Sequence, residues 1–147
     1  MTPDELRAAA RGSYPEEAAT ELLIRGFGGR FTGPGWSWMC LDEDGAWWID
    51  FALIPEHVGV LGVAEQWYLL VAASIASACP VIVGDCVTEL DRDEVDLVLA
   101  ALSHACGSHM PREVMAGLDE GAGLRQQDPL HEWPSIPPRL TLIDGGS

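Results

Sequence analysis

Apolar residues recur at helical spacing along much of the chain and at strand spacing in one stretch. Ala18, Ala19, Leu22 and Leu23 lie on one helical face, predicting a helix over 15–25 that Gly26 stops. Val95, Leu97, Val98, Leu99, Ala101 and Leu102 give a second helix a broad apolar face, ended by Gly107. The most apolar run, 61–79, predicts a long buried helix over 63–78, with Ala72, Ala73, Ala76 and Ser77 for close packing and Pro80 as its end.

The starts of these helices are written in side-chain chemistry. Thr2-Pro3-Asp4-Glu5 and Asp91-Arg92-Asp93-Glu94 each place a capping residue three positions before a glutamate, so two backbone N–H groups are satisfied reciprocally. Ser13-Tyr14-Pro15-Glu16 follows the same logic.

The strand signal lies in GWSWMCLDEDGAWWIDF, residues 35–51, which holds four of the six tryptophans around an acidic turn. Two β-prone runs flank Asp42-Glu43-Asp44-Gly45 and predict a hairpin. An even-numbered loop separates apolar from polar positions best. It puts Trp36, Trp38 and Cys40 on a core face with Trp47, Ile49 and Phe51, and Ser37, Met39, Leu41, Ala46, Trp48 and Asp50 on the other.

The remaining segments are shorter. The run 27–34 is a glycine-rich loop or bulged edge strand without a phosphate-loop pattern, and 55–62 is a loop. Val81-Ile82-Val83 reads as a buried strand, Pro111 to Leu118 as a short helix, and 139–143 as an edge strand. Together these elements predict an α+β fold: a small antiparallel sheet built on a Trp-rich hairpin, packed by a long buried helix and further helices. They fit one domain over 1–147, with 121–147 extended and peripheral.

Composition narrows the function. A hydrophobic content of 48% excludes a wholly disordered chain. The net charge is −15, from 23 acidic and 8 basic residues. A chain so acidic repels phosphate backbones, so nucleic-acid binding is not expected, whereas a basic protein partner would be steered toward it. Every basic residue is arginine, and lysine and asparagine are both absent. That bias points to a GC-rich, bacterial coding sequence. The N-terminal MTPDELRAAARG carries no signal-peptide pattern, and the 61–79 run contains Glu65 and Gln66 and lacks basic flanks. A cytoplasmic protein without a membrane span is expected, and its cysteines Cys40, Cys79, Cys86 and Cys106 are expected to be reduced.

No catalytic signature is present. Cys106-Gly107-Ser108-His109, with His104 nearby and Cys86 upstream, offers metal ligands or a Cys/His pair, but only one short spacing suits zinc. The default for these residues is a helix C-terminus, so no metal or cofactor is expected. The expected role is a non-enzymatic acidic protein-binding domain of immunity-protein or inhibitor type. Its binding residues would be Asp42, Glu43, Asp44, Trp48, Asp91, Asp93 and Glu94, with Trp133 as a further aromatic. The alternatives are a small Cys/His metal protein or enzyme, and a structural subunit of a larger assembly.

Overall fold

A computed structural model describes residues 1–110, 112–114, 123–125 and 128–135. Among them are six α-helices and two small antiparallel two-stranded sheets, a mixed fold of α+β type. The helices are α1 (Pro3–Ala10), α2 (Tyr14–Arg25), α3 (Ile54–His57), α4 (Val63–Ile75), α5 (Val83–Val87) and α6 (Arg92–Ala105). The sheets pair β1 (Met39–Leu41) with β2 (Trp47–Ile49), and β3 (Arg112–Val114) with β4 (Gly123–Arg125). No helix among the described residues is long and apolar enough to cross a membrane.

Both predicted capping boxes form. Thr2 and Glu5 close the start of α1, and Asp91 and Glu94 close the start of α6. Ser13 Oγ accepts from the Glu16 N–H to cap α2. The middle of the molecule is α2, which packs on α6, α4 and α1. It buries Ala18, Ala19, Leu22 and Leu23, the face read from the sequence. From α4 come Tyr68, Leu69, Val71, Ala72 and Ala73, and from α6 come Val98, Ala100 and Ala101. The middle of α4 is buried, from Tyr68 to Ala73 except the half-buried Leu70, whereas Val63 at its start is 58% exposed. Tyr68 is wholly buried, and its hydroxyl donates to the Leu22 carbonyl at 2.7 Å.

The chain between α2 and β1 carries an aromatic cluster. Residues Gly26–Thr32 form 3-10 turns interrupted by left-handed Phe27, Gly28 and Gly29, and no edge strand forms there. Phe31 and Trp38 are fully buried, the Trp38 indole N–H donates to the Phe31 carbonyl, and Trp36 stacks on Trp38 at 4.9 Å. Trp36 and Trp47 are half-buried against this core.

The hairpin loop has odd parity, not the expected even one. Met39 faces Ile49, Cys40 faces Trp48 and Leu41 faces Trp47. The Asp42 N–H bonds to the Ala46 carbonyl, leaving three residues, Glu43 to Gly45, in the turn, with Gly45 left-handed at φ 79°. A three-residue loop ending in a left-handed glycine is a favoured hairpin connection. Here local turn chemistry outweighs segregation of faces, because strands of three residues have little face to segregate. Met39, Leu41, Trp47 and Ile49 therefore share one side, and Cys40 and Trp48 the other.

Three further expectations are corrected. Val81-Ile82-Val83 is no buried strand: Ile82 and Val83 are 70% and 65% exposed, and Val83 opens α5. Among the described residues no strand pairs with them. Ile54–His57 form a helical turn that takes in the first three residues of the loop expected at 55–62, and 112–114 are a strand where a helix was expected. Of 121–147, the described part comprises β4 and 128–135, which has no helix or strand; the expected edge strand at 139–143 lies outside the described residues.

Candidate functional site

The acids at the start of α6 open onto a cleft of about 540 Å³, lined by Asp91, Asp93, Glu94 and Asp96 together with Arg25. Phe27 and Leu97 supply apolar walls, and Pro134 and Ser135 close one side. These acids are not equally free. The Asp91 carboxylate accepts from the Glu94 N–H, and the Glu94 carboxylate from the Asp91 N–H, both at 2.8 Å. Asp96 lies 2.5 Å from the His131 ring. Asp93 is exposed and makes no hydrogen bond among the described residues.

The hairpin acids sit apart from this cleft. Asp42 is consumed by its own turn, its Oδ1 accepting from the Asp44 and Ala46 N–H groups at 2.8 and 2.9 Å. Glu43 and Asp44 are exposed, and Trp48 is 38% exposed on the side opposite Leu41. Asp42, Glu43, Asp44 and Trp48 do not line the cleft that holds Asp91, Asp93 and Glu94. Trp133 is no free aromatic: it is half-buried under the Arg25 guanidinium, 5.0 Å from its ring centroid.

A polar stripe on α2 connects the cleft to a second cluster. Arg25 pairs with Glu21 at 2.7 Å and donates to the Pro134 carbonyl at 2.8 Å. Glu21 also accepts from Arg7 of α1. Burial alone would raise the Glu21 carboxyl, but the hydrogen bonds from Arg7 and Arg25 outweigh it and hold it below the usual range.

One turn toward the N-terminus, Glu17 Oε1 accepts from His104 Nε2 at 2.8 Å, and Glu17 also takes the Gly12 N–H. Burial works against the charged Glu17 carboxylate, yet these hydrogen bonds leave it below its ordinary value. His109 stacks on His104, with ring centroids 3.9 Å apart and planes 9° from parallel. Tyr14 stands edge-on to both rings. His109 Nδ1 is buried and has no hydrogen-bond partner among the described residues. Burial and the adjacent His104 lower the pKa of His109.

Of the four sulfur and nitrogen candidates, the fold unites only the imidazoles. Cys86 is buried on α5, and the exposed Cys106 donates its thiol to the Ser103 carbonyl at 3.2 Å. Ligand atoms of Glu17, His104 and His109 lie within 4.8 Å of one another, and neither cysteine is in that group. All four cysteines are free thiols. The CxxH spacing marked the right neighbourhood, but Glu17, 87 positions before His104, carries no local signal of its role.

No protein-family model, no curated protein and no solved structure matches this chain.

Proposed function

We propose that this protein is a non-enzymatic acidic binding domain that takes a basic protein partner, in the manner of an immunity protein or inhibitor. The carrying observation is the cleft at the start of α6, where four carboxylates face one arginine around Phe27 and Leu97. Such a cleft suits an arginine or lysine side chain: the apolar walls take the methylene stem and the carboxylates take the charged head. Asp93 makes the first contact, since Asp91 and Glu94 hold the helix end, and Asp96 joins it by exchanging its His131 partner for the incoming cation. The net charge of −15 speeds encounter. The Trp-rich hairpin is the second contact in this reading, with Trp48 as an aromatic anchor and Glu43 and Asp44 beside it. The partner and the cytoplasmic location belong to the same proposal.

The test is capture of basic proteins on immobilised wild type, Asp93→Arg, Asp96→Arg and Trp48→Ala, in low and high salt. A basic protein should be retained by wild type at low salt, released by salt, and lost from both charge-reversed variants. Retention indifferent to salt and to both reversals would refute it.

A further inference from the structure

The tie between α6 and α2 is complete without His109. Glu17 and His104 satisfy each other, and Glu17 takes the Gly12 N–H as well. Nevertheless the chain turns back after α6 through Gly107, left-handed at φ 75° and packed so closely on Tyr14 that a Cβ would meet its ring at 3.3 Å. The turn lays the His109 imidazole on His104 with a buried nitrogen that bonds nothing among the described residues. Buried polar atoms without a partner are few in folded proteins, and each calls for an explanation.

We infer that Glu17, His104 and His109 form a binding site for a divalent transition-metal ion of the zinc class. Two imidazoles and one carboxylate are borderline donors that suit Zn²⁺, Co²⁺ or Fe²⁺ and discriminate against Ca²⁺ and Mg²⁺, which take oxygen ligands. The ion takes the place of the proton between His104 Nε2 and Glu17 Oε1, and that proton passes to solvent. With metal–ligand bonds of about 2.0–2.2 Å in tetrahedral array, two ligand atoms stand about 3.3–3.6 Å apart. The present 2.8 Å separation therefore has to open by only about 0.5–0.8 Å.

The imidazole stack has to open further. Parallel rings cannot both aim an in-plane lone pair at one ion between them, so ligation splays His109 away from His104. His109 lies beyond the end of α6 and is free of helix geometry, whereas His104 is fixed within it. Three protein ligands leave an open coordination position. A cavity of about 220 Å³ borders both imidazoles and is lined also by His131, Glu132 and Trp133, giving that position room for water or a small anion. The site shares no ligand residue with the cleft at the start of α6, and a failure of either proposal leaves the other standing.

The experiment is titration of the chelator-treated full chain with Zn²⁺ by calorimetry, and with Co²⁺ by visible absorption. The expected result is one ion per chain with d–d bands of a nitrogen and oxygen site. Loss of an outer-sphere partner weakens metal sites about 10–100-fold, so His109→Ala and Glu17→Gln should each weaken binding by at least about 100-fold. His109→Ala is the informative variant: it removes the ring's packing on His104 and Tyr14 but breaks no hydrogen bond among the described residues. His57→Ala on α3, whose ring among the described residues bonds only the Leu53 carbonyl just before that helix, should bind as wild type does. Circular dichroism establishes that each variant is folded. In proton NMR, the His109 ring resonances should move on Zn²⁺ addition as the stack opens. No ion bound, or the same affinity in wild type and His109→Ala, would overturn the assignment.

Discussion

Gly26 tests the packing behind the proposed cleft. It caps α2 at φ −75° and ψ 145°, a conformation open to any residue, so backbone strain is not what requires glycine here. The reason is Tyr68. A Cβ at position 26 would lie 2.4 Å from the Tyr68 hydroxyl oxygen and 2.5 and 2.6 Å from Cζ and Cε1. Ordinary carbon contacts are about 3.5–4.0 Å, so something must move by about 1 Å. The ring has no room to do so cheaply: it is fully buried, its hydroxyl is held at 2.7 Å by Leu22, and Phe27 packs edge-on at 5.2 Å. Overpacking of this kind costs about 1–3 kcal/mol, and the strained hydrogen bond about 1 more. Gly26→Ala should therefore destabilise by about 2–4 kcal/mol in urea unfolding followed by tryptophan fluorescence. Because Phe27 lines the cleft, the variant should also weaken partner binding. Tyr68→Phe should not rescue it, since the ring carbons remain in the way. Gly28→Ala is the contrasting control: its φ is 67° with nothing within 4 Å, so only the left-handed penalty of about 1–2 kcal/mol applies. A loss below about 0.5 kcal/mol for Gly26→Ala, or full rescue by Tyr68→Phe, would refute this account of the close approach.

Acidification should destabilise the protein through Glu21. Its folded pKa lies below the ordinary 4.5, so below that pH the unfolded chain binds more protons and stability falls until the folded group is also protonated. Urea titrations across this window should show a shallower decline in Glu21→Gln, which also loses about 1–3 kcal/mol at neutral pH, between the values of exposed and buried ion pairs. Asp91→Ala should lose about 1 kcal/mol as a broken helix cap, whereas Asp93→Ala should leave stability within about 0.5 kcal/mol of wild type and reduce only binding. Equal stability losses at the two positions would remove the distinction between capping and binding acids.

What was legible in the sequence was short-range. The caps at Thr2, Ser13 and Asp91 and the buried face of α2 follow from residues three or four apart, whose interaction the helix itself guarantees. Gly26 was read rightly as the end of α2 but for a different physical reason. The left-handed conformation expected of a C-terminal glycine falls instead on Phe27, a residue with no sequence signal for it, at φ 51°. The surroundings impose that conformation, since Phe27 packs on both Phe31 and Tyr68. The parity of the hairpin turned on one residue of loop length. Exposure of Ile82 and Val83 turned on their pairing with no strand among the described residues, which depends on contacts far along the chain. The partnership of Glu17 with two histidines far along the chain is of the same kind: α2 and α6 had to be side by side before it existed.

Charge read from the sequence also overstated how many acids are available. Asp42, Asp91 and Glu94 satisfy backbone N–H groups, Glu17 and Glu21 hold His104, Arg7 and Arg25, and Asp96 meets His131. These uses are not scattered. Glu17, Glu21 and Arg25 recur at four-residue intervals on α2, so one polar stripe runs from the stacked imidazoles to the cleft. Residues 128–135 lie across both ends of it. The Leu130 and His131 N–H groups bond to the Ser108 and Ser103 hydroxyls, Trp133 sits beneath Arg25, and Pro134 closes the cleft. His131, Glu132 and Trp133 line the cavity beside the imidazoles, while Pro134 and Ser135 line the cleft. Any ligand that displaces this segment at one end must disturb the lining of the other, because the same backbone supplies both walls.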